Sequence, residues 1–211
     1  MQLNKPLATV TPTLDGDVLA VLATHDVTFT TGQIRRILND FSEEGIRKVL
    51  TRLVLQGVVL GERVGNAFAY RLNNEHLAAE SIKALARLSS TFFIRLEHQL
   101  QSWDEAPVYG AVFGSAATGA MTLHSDLDLF LVRGHGDSND VWSRQVGEVA
   151  ATVTGWTGND VRIVEYTVDA LHAAKDEPLL RDVADHGITV AGTRAWLIKQ
   201  LGATPKESQT R

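Results

Sequence analysis

Val108-Tyr109-Gly110-Ala111-Val112-Phe113-Gly114-Ser115 is followed, after ten residues, by Asp126-Leu127-Asp128-Leu129-Phe130-Leu131-Val132. The two apolar runs, rich in β-branched and aromatic side chains and bounded by turn residues, predict strands at 108–113 and 127–132. An Asp-x-Asp pair alone is poor evidence of anything, and the chain carries its own control: Asp15-Gly16-Asp17 has the same spacing with no strand around it. On a strand, positions i and i+2 share a face roughly 7 Å apart, so Asp126 and Asp128 can reach one pair of divalent metal ions. Two such ions, about 3.5 to 4 Å apart, activate an attacking oxygen and neutralise charge on a triphosphate. Gly114 at a strand end lets a phosphate approach the backbone, and the Ser115 hydroxyl with helix N-terminal N–H groups can hold phosphate oxygens. Reading Gly114 as an ordinary strand end and Asp126 as a turn cap leaves Asp128 inside an apolar strand without a reason, a costly placement for a carboxylate.

Downstream, the alternation continues with strands predicted at 161–166 and 188–190, and helices just after Ser115, at 140–153 and around 177–185. Residues 203–211 read as a polar, frayed tail. Upstream, Leu77, Ile82, Leu85, Leu88, Phe92, Leu96, Leu100 and Trp103 recur every three to five residues and predict one long helix over 74–103. Before it, residues 1–13 read as a loose leader. A helix over 14–24 follows, and a second starts near Thr30, where Thr30 and Gln33 have capping-box spacing. A third, capped by Ser42, runs to about Gln56 and buries Ile46, Val49, Leu50, Leu53 and Val54. Short strands at 58–60 and 67–72, joined by Gly61 to Asn66, complete three helices and a hairpin, the order of a winged helix-turn-helix. Its recognition helix offers Arg47, Lys48 and Arg52, and its wing tip Arg63 and Asn66, as DNA contacts: Arg reaches base edges, Lys and wing residues phosphates. Glu43, Glu44 and Glu62 weaken that positive field, and solvated charges on a protein-binding module are the alternative.

Strand, Gly-Ser, short helix, then Asp-x-Asp on a second strand resembles the polymerase-beta superfamily of nucleotidyltransferases, which includes kanamycin nucleotidyltransferases and the minimal nucleotidyltransferases of toxin–antitoxin pairs. The resemblance covers roughly residues 90–195. It implies that Gly114 and Ser115 bind a nucleoside triphosphate and that Asp126 and Asp128 hold magnesium. A winged helix before such a domain is similar to a group of bacterial regulator-like proteins. Two departures stand out. Thr118 occupies the place of an Arg that often follows the Gly-Ser, and Arg162 aligns with an expected third carboxylate, for which Glu165 is the first substitute and Asp160 the second.

At 211 residues the chain is long enough for two small domains, and the net charge of -5 confines any nucleic-acid contact to a local basic cluster. The absence of cysteine excludes disulfides, zinc–thiolate sites and thiol catalysis. His124, His172 and His186 lack metal-ligand spacing, and the four tryptophans read as core aromatics. With no signal segment and no apolar run of membrane length, the expectation is a soluble cytoplasmic protein.

The resulting expectation is an α+β chain: a winged helix-turn-helix (1–73), a linking helix (74–103), a nucleotidyltransferase-like domain with a mixed sheet and flanking helices (104–203), and a tail. Its partners would be DNA and a nucleoside triphosphate with Mg2+, with no membrane, a homodimer through the long helix, and a protein or small molecule as acceptor. Two other readings stay open. One is a regulator whose C-terminal domain senses a nucleotide without turning it over; the other is an antitoxin-like partner of a toxin.

Overall fold

Capping chemistry fixes the first helices. Helix α1 spans Leu14–Thr24, and after the two-residue strand β1 (Phe29–Thr30) helix α2 covers Thr31–Ile37. The Thr30 hydroxyl accepts the Gln33 N–H at 3.3 Å while Gln33 Oε1 accepts the Thr30 N–H at 2.7 Å, a complete capping box. Helix α3 (Glu43–Leu55) begins where Ser42 Oγ accepts the Gly45 N–H, and Glu43 and Glu44 lie at the positive end of its dipole. Strands β2 (Val59–Val64) and β3 (Ala67–Leu72) form an antiparallel hairpin closed by Gly65 and Asn66, with Gly65 at φ +61°. Strand β1 pairs with β3 on its other side. Helices α4 (Ala79–Ala86) and α5 (Leu88–Gln101) follow.

The computed structural model describes residues 1–25, 27–136 and 138–202, so the expected tail at 203–211 lies outside the described residues. The chain divides into two units, Gln2–Ser90 and Thr91–Arg211 with Met1. In the first, Val18 and Leu22 of α1 meet Ile34 of α2, Ile46 and Leu50 of α3 and Val59 of β2 in one core.

The second unit holds β4 (Tyr109–Phe113), α6 (Ser115–Thr118), β5 (Leu127–Arg133), α7 (Asn139–Thr157), β6 (Val161–Thr167), α8 (Val168–Ala173), α9 (Pro178–His186), β7 (Ile188–Ala191) and α10 (Arg194–Gln200). The four strands form one mixed sheet in the order β6-β5-β4-β7, with β5 parallel to β6 and antiparallel to β4. The fold is therefore α+β with a four-stranded mixed sheet. Strand alternation divides the faces. Tyr109, Phe113, Phe130 and Val132 pack with Leu171 of α8, Leu180 and Val183 of α9 and Leu197 of α10. On the opposite face Trp142 of α7 reaches Glu165 of β6. Among the described residues no helix is long and apolar enough to cross a membrane.

Four local expectations are corrected. The leader is not structureless: Pro6–Thr9 forms a 3-10 turn, and Leu3 and Leu7 are buried. The single helix over 74–103 is two helices, because at Arg87 the backbone N–H is shared between the carbonyls of Lys83 and Ala84 and the regular ladder lapses. At its start, Leu77 is fully exposed at 100%, so periodicity there marked no core. The hairpin loop shrinks from six residues to the pair Gly65-Asn66, since cross-strand pairing carries β2 out to Val64. Val54, expected in the α3 core, is 36% exposed: it continues the edge of the stripe one turn after Leu50, but there it lines the open groove beside the hairpin.

Candidate functional site

Strand β5 is buried apart from Asp128 and the terminal Arg133, and Asp128 is half-buried between Phe113 of β4 and Arg162 of β6. Asp126 immediately precedes the strand on the same side. Its loop is fixed by buried Asn159, whose side-chain amide donates to the Ser125 carbonyl at 2.9 Å, and by the Leu127 N–H, which donates to the Asp160 carbonyl at 2.8 Å. A further clasp comes from the Ser125 hydroxyl, which accepts the Thr122 N–H at 2.9 Å.

Between β4 and α6 the backbone turns at Gly114 with φ +66° and ψ -142°, a conformation essentially closed to residues with a Cβ. The reason for the glycine is also spatial: a Cβ there would lie 2.5 Å from Asp128 Oδ2. The Gly-Ser turn and the Asp-x-Asp strand thus meet at one point. The Gly114 carbonyl accepts the N–H groups of Ala117 and Thr118 and the Thr118 hydroxyl, which holds the turn. Beside it, the half-buried Ser115 begins α6.

Electrostatics at this point are mixed. Arg162 Nη2 lies 2.5 Å from Asp126 Oδ2 in a salt bridge, with the Arg162 side chain largely exposed. The Asp128 carboxyl is raised above its ordinary value, first by burial, against a lowering by Arg162 and with a further raise from Asp126.

Four of the expected site residues, Gly114, Ser115, Asp126 and Asp128, therefore come together. Glu165 does not. It lies opposite Leu131, three residues along β6 from Arg162 and hence on the other face, where its Oε2 accepts the Trp142 Nε1–H at 2.5 Å. The assignment of Glu165 as third carboxylate is corrected on that ground. Asp160 stands just before β6 and serves the fold through its backbone carbonyl. Among the described residues no group of three or more His, Cys, Asp or Glu side chains is placed to hold a metal. What the sequence left aside is Arg162 as a participant; its place where a third carboxylate is expected was the available signal.

The control pair is resolved as well. Asp15 and Asp17 lie in the first turn of α1, where positions i and i+2 diverge: Asp15 pairs with Arg52 and Asp17 with Lys5.

On α3, the basic residues are engaged by acids: Arg47 with Glu43 at 3.0 Å, Lys48 with Glu44 at 2.8 Å, and Arg52 with Asp15 of α1. Arg63 Nε donates to the Gly65 carbonyl at the hairpin tip, beside exposed Asn66. Between α3 and the hairpin runs an open groove of about 780 Å³ whose lining includes Arg47, Val54, Leu55, Asn66, Phe68 and Tyr70.

No protein-family model and no curated protein matches the chain. Among solved structures it is similar to a chain of a mutant form of the toxin–antitoxin MntA–HpeT, at 15% identity over 52% of this chain and 84% of that one, with a TM-score of 0.37. It is also similar to a chain of a toxin–antitoxin crystallised with AMP-PNP, at 20% identity over 53% and 83% of the two chains, with a TM-score of 0.38.

Proposed function

We propose that the C-terminal unit is a nucleotidyltransferase-type domain that binds a nucleoside triphosphate with magnesium. The observation that carries this reading is the meeting of Gly114, at positive φ, with the Asp128 carboxylate, with Asp126 beside it. Two carboxylates beside this turn fit a hard divalent ion, which commonly takes one or two carboxylates and completes its shell with water and substrate phosphates. Asp126 and Asp128 would hold it, and it would offset the charge of the triphosphate. Gly114 lets the Asp128 carboxylate sit against the turn, and the Ser115 hydroxyl would donate to a phosphate oxygen. The matching reaction is in-line attack of an acceptor hydroxyl on the α-phosphorus. The oxygen–phosphorus bond to the acceptor forms as the bond to pyrophosphate breaks and the hydroxyl proton passes to water, with positioning as the chain's main contribution.

A second reading, sensing of the nucleotide without turnover, is favoured by the placement of Arg162 opposite Asp128 and of Glu165 on the far face. Calorimetric titration with a non-hydrolysable nucleoside triphosphate, with and without Mg2+, tests the shared part. Metal-dependent binding lost in Asp126→Asn/Asp128→Asn supports the site, and no binding by either protein overturns it. Release of pyrophosphate from a hydrolysable nucleotide then separates transfer from sensing.

The N-terminal unit is read, within the same proposal, as a winged helix-turn-helix that contacts DNA through Arg47, Lys48, Arg52, Arg63 and Asn66. Its support is the order α2, α3, hairpin and the exposure of α3. The intrahelical ion pairs of Arg47 and Lys48 are exposed, and exposed pairs are worth little, so a phosphate can replace the carboxylate. The apolar lining of the groove beside α3 favours instead a protein partner, the antitoxin-like reading. A partner that co-purifies with the wild-type chain and is lost on Phe68→Asp, with DNA binding absent from both, would select it.

A further inference from the structure

Arg162 faces the two site carboxylates from the neighbouring strand. Its guanidinium binds Asp126 Oδ2 at 2.5 Å, and its backbone position lies directly across from Asp128. The side chain is mostly exposed, at 72%. Its ion pair is therefore of the kind that contributes little and exchanges readily for another oxyanion. A phosphate is the preferred exchange partner, since the planar guanidinium donates two parallel N–H groups to phosphate oxygens.

Ligand supply decides how many metal ions fit beside it. Asp126 and Asp128 are shared between one divalent ion and Arg162. A second divalent ion would need ligands of its own, and among the described residues no third carboxylate or imidazole joins the pair.

Building on the nucleotide-binding reading above, we propose that Arg162 is a phosphate-binding residue that takes the place of one of two divalent ions, so that the chain binds a nucleoside triphosphate with a single divalent cation. In the free protein the guanidinium rests on Asp126. When the nucleotide enters, it passes to the phosphate oxygens and frees Asp126 Oδ2.

The test counts Mn2+ by the paramagnetic resonance signal of the free ion, using the full chain saturated with a non-hydrolysable nucleoside triphosphate. One Mn2+ per bound nucleotide is expected in the wild type. Arg162→Gln, which keeps a polar side chain on an exposed position, should keep that count and lose nucleotide affinity on the order of tenfold, as for loss of a charged hydrogen bond. Two Mn2+ per nucleotide in the wild type, or unchanged affinity in Arg162→Gln, overturns the proposal while leaving the nucleotide-binding reading intact. No nucleotide bound at any Mn2+ concentration overturns both.

Discussion

At Gly114 a single residue joins backbone and charge. Its positive φ excludes side chains, and the space where a Cβ would go is filled by Asp128 Oδ2. Gly114→Ala should lower unfolding free energy by about 1–3 kcal/mol, read in urea denaturation, because the strained conformation must be held or abandoned. It should also weaken nucleotide binding by pushing the Asp128 carboxylate aside. Asp128 itself gives a prediction with a definite sign. Its folded-state pKa lies above the ordinary 3.8, so the fold prefers the neutral carboxyl. The stability cost of ionising it is fully present above the folded pKa and disappears as pH falls below the unfolded value. Asp128→Asn should therefore melt higher than wild type at pH 7, with the difference shrinking as acid is added, in melts without nucleotide or metal. Cation binding needs the ionised form, so wild-type affinity should begin to fall at a higher pH than an ordinary Asp would dictate.

Among the elements, α3 and β5 carry the two proposed functions on different local physics. Helix α3 depends on its cap: Ser42 is the one side chain accepting from the Gly45 N–H, and Ser42→Ala should cost about 1 kcal/mol in chemical denaturation. Strand β5 depends on burial. Phe130 is fully buried between Tyr109 and Tyr166, and Phe130→Ala should cost about 3–5 kcal/mol and blunt nucleotide binding, since the same strand carries Asp128.

Over the whole chain the net charge of -5 opposes nucleic acid, so the proposed DNA contact would rest on few phosphates and carry a correspondingly modest salt dependence. Replacing Arg47 and Lys48 with Ala should weaken binding to duplexes of any sequence, if the two meet phosphates, and reduce the slope of log affinity against log salt by about 2 in fluorescence anisotropy titrations. An unchanged slope would remove α3 from the interface.

Features that depend on near neighbours are legible from the order of residues alone. Thr30 with Gln33 and Ser42 with Gly45 cap helices through neighbours three residues away, and the alternating apolar runs around Asp126 and Asp128 mark a buried strand. Gly114-Ser115 and Asp126-Leu127-Asp128 were legible because turn and pleat place such residues by period alone. Short helices α8 and α10 passed unread, although Thr167 and Thr193 cap them by the same rule, because each has too few turns for periodicity to show. The remainder depends on how distant segments pack. Strand β1 exists through its pairing with β3, Val54 is exposed by where the hairpin lies, and the β5–β6 register sets Arg162 beside Asp128 while sending Glu165 to Trp142. Register is a relation between distant segments, fixed by which faces bury together, and a shift of one residue would exchange every side chain's face.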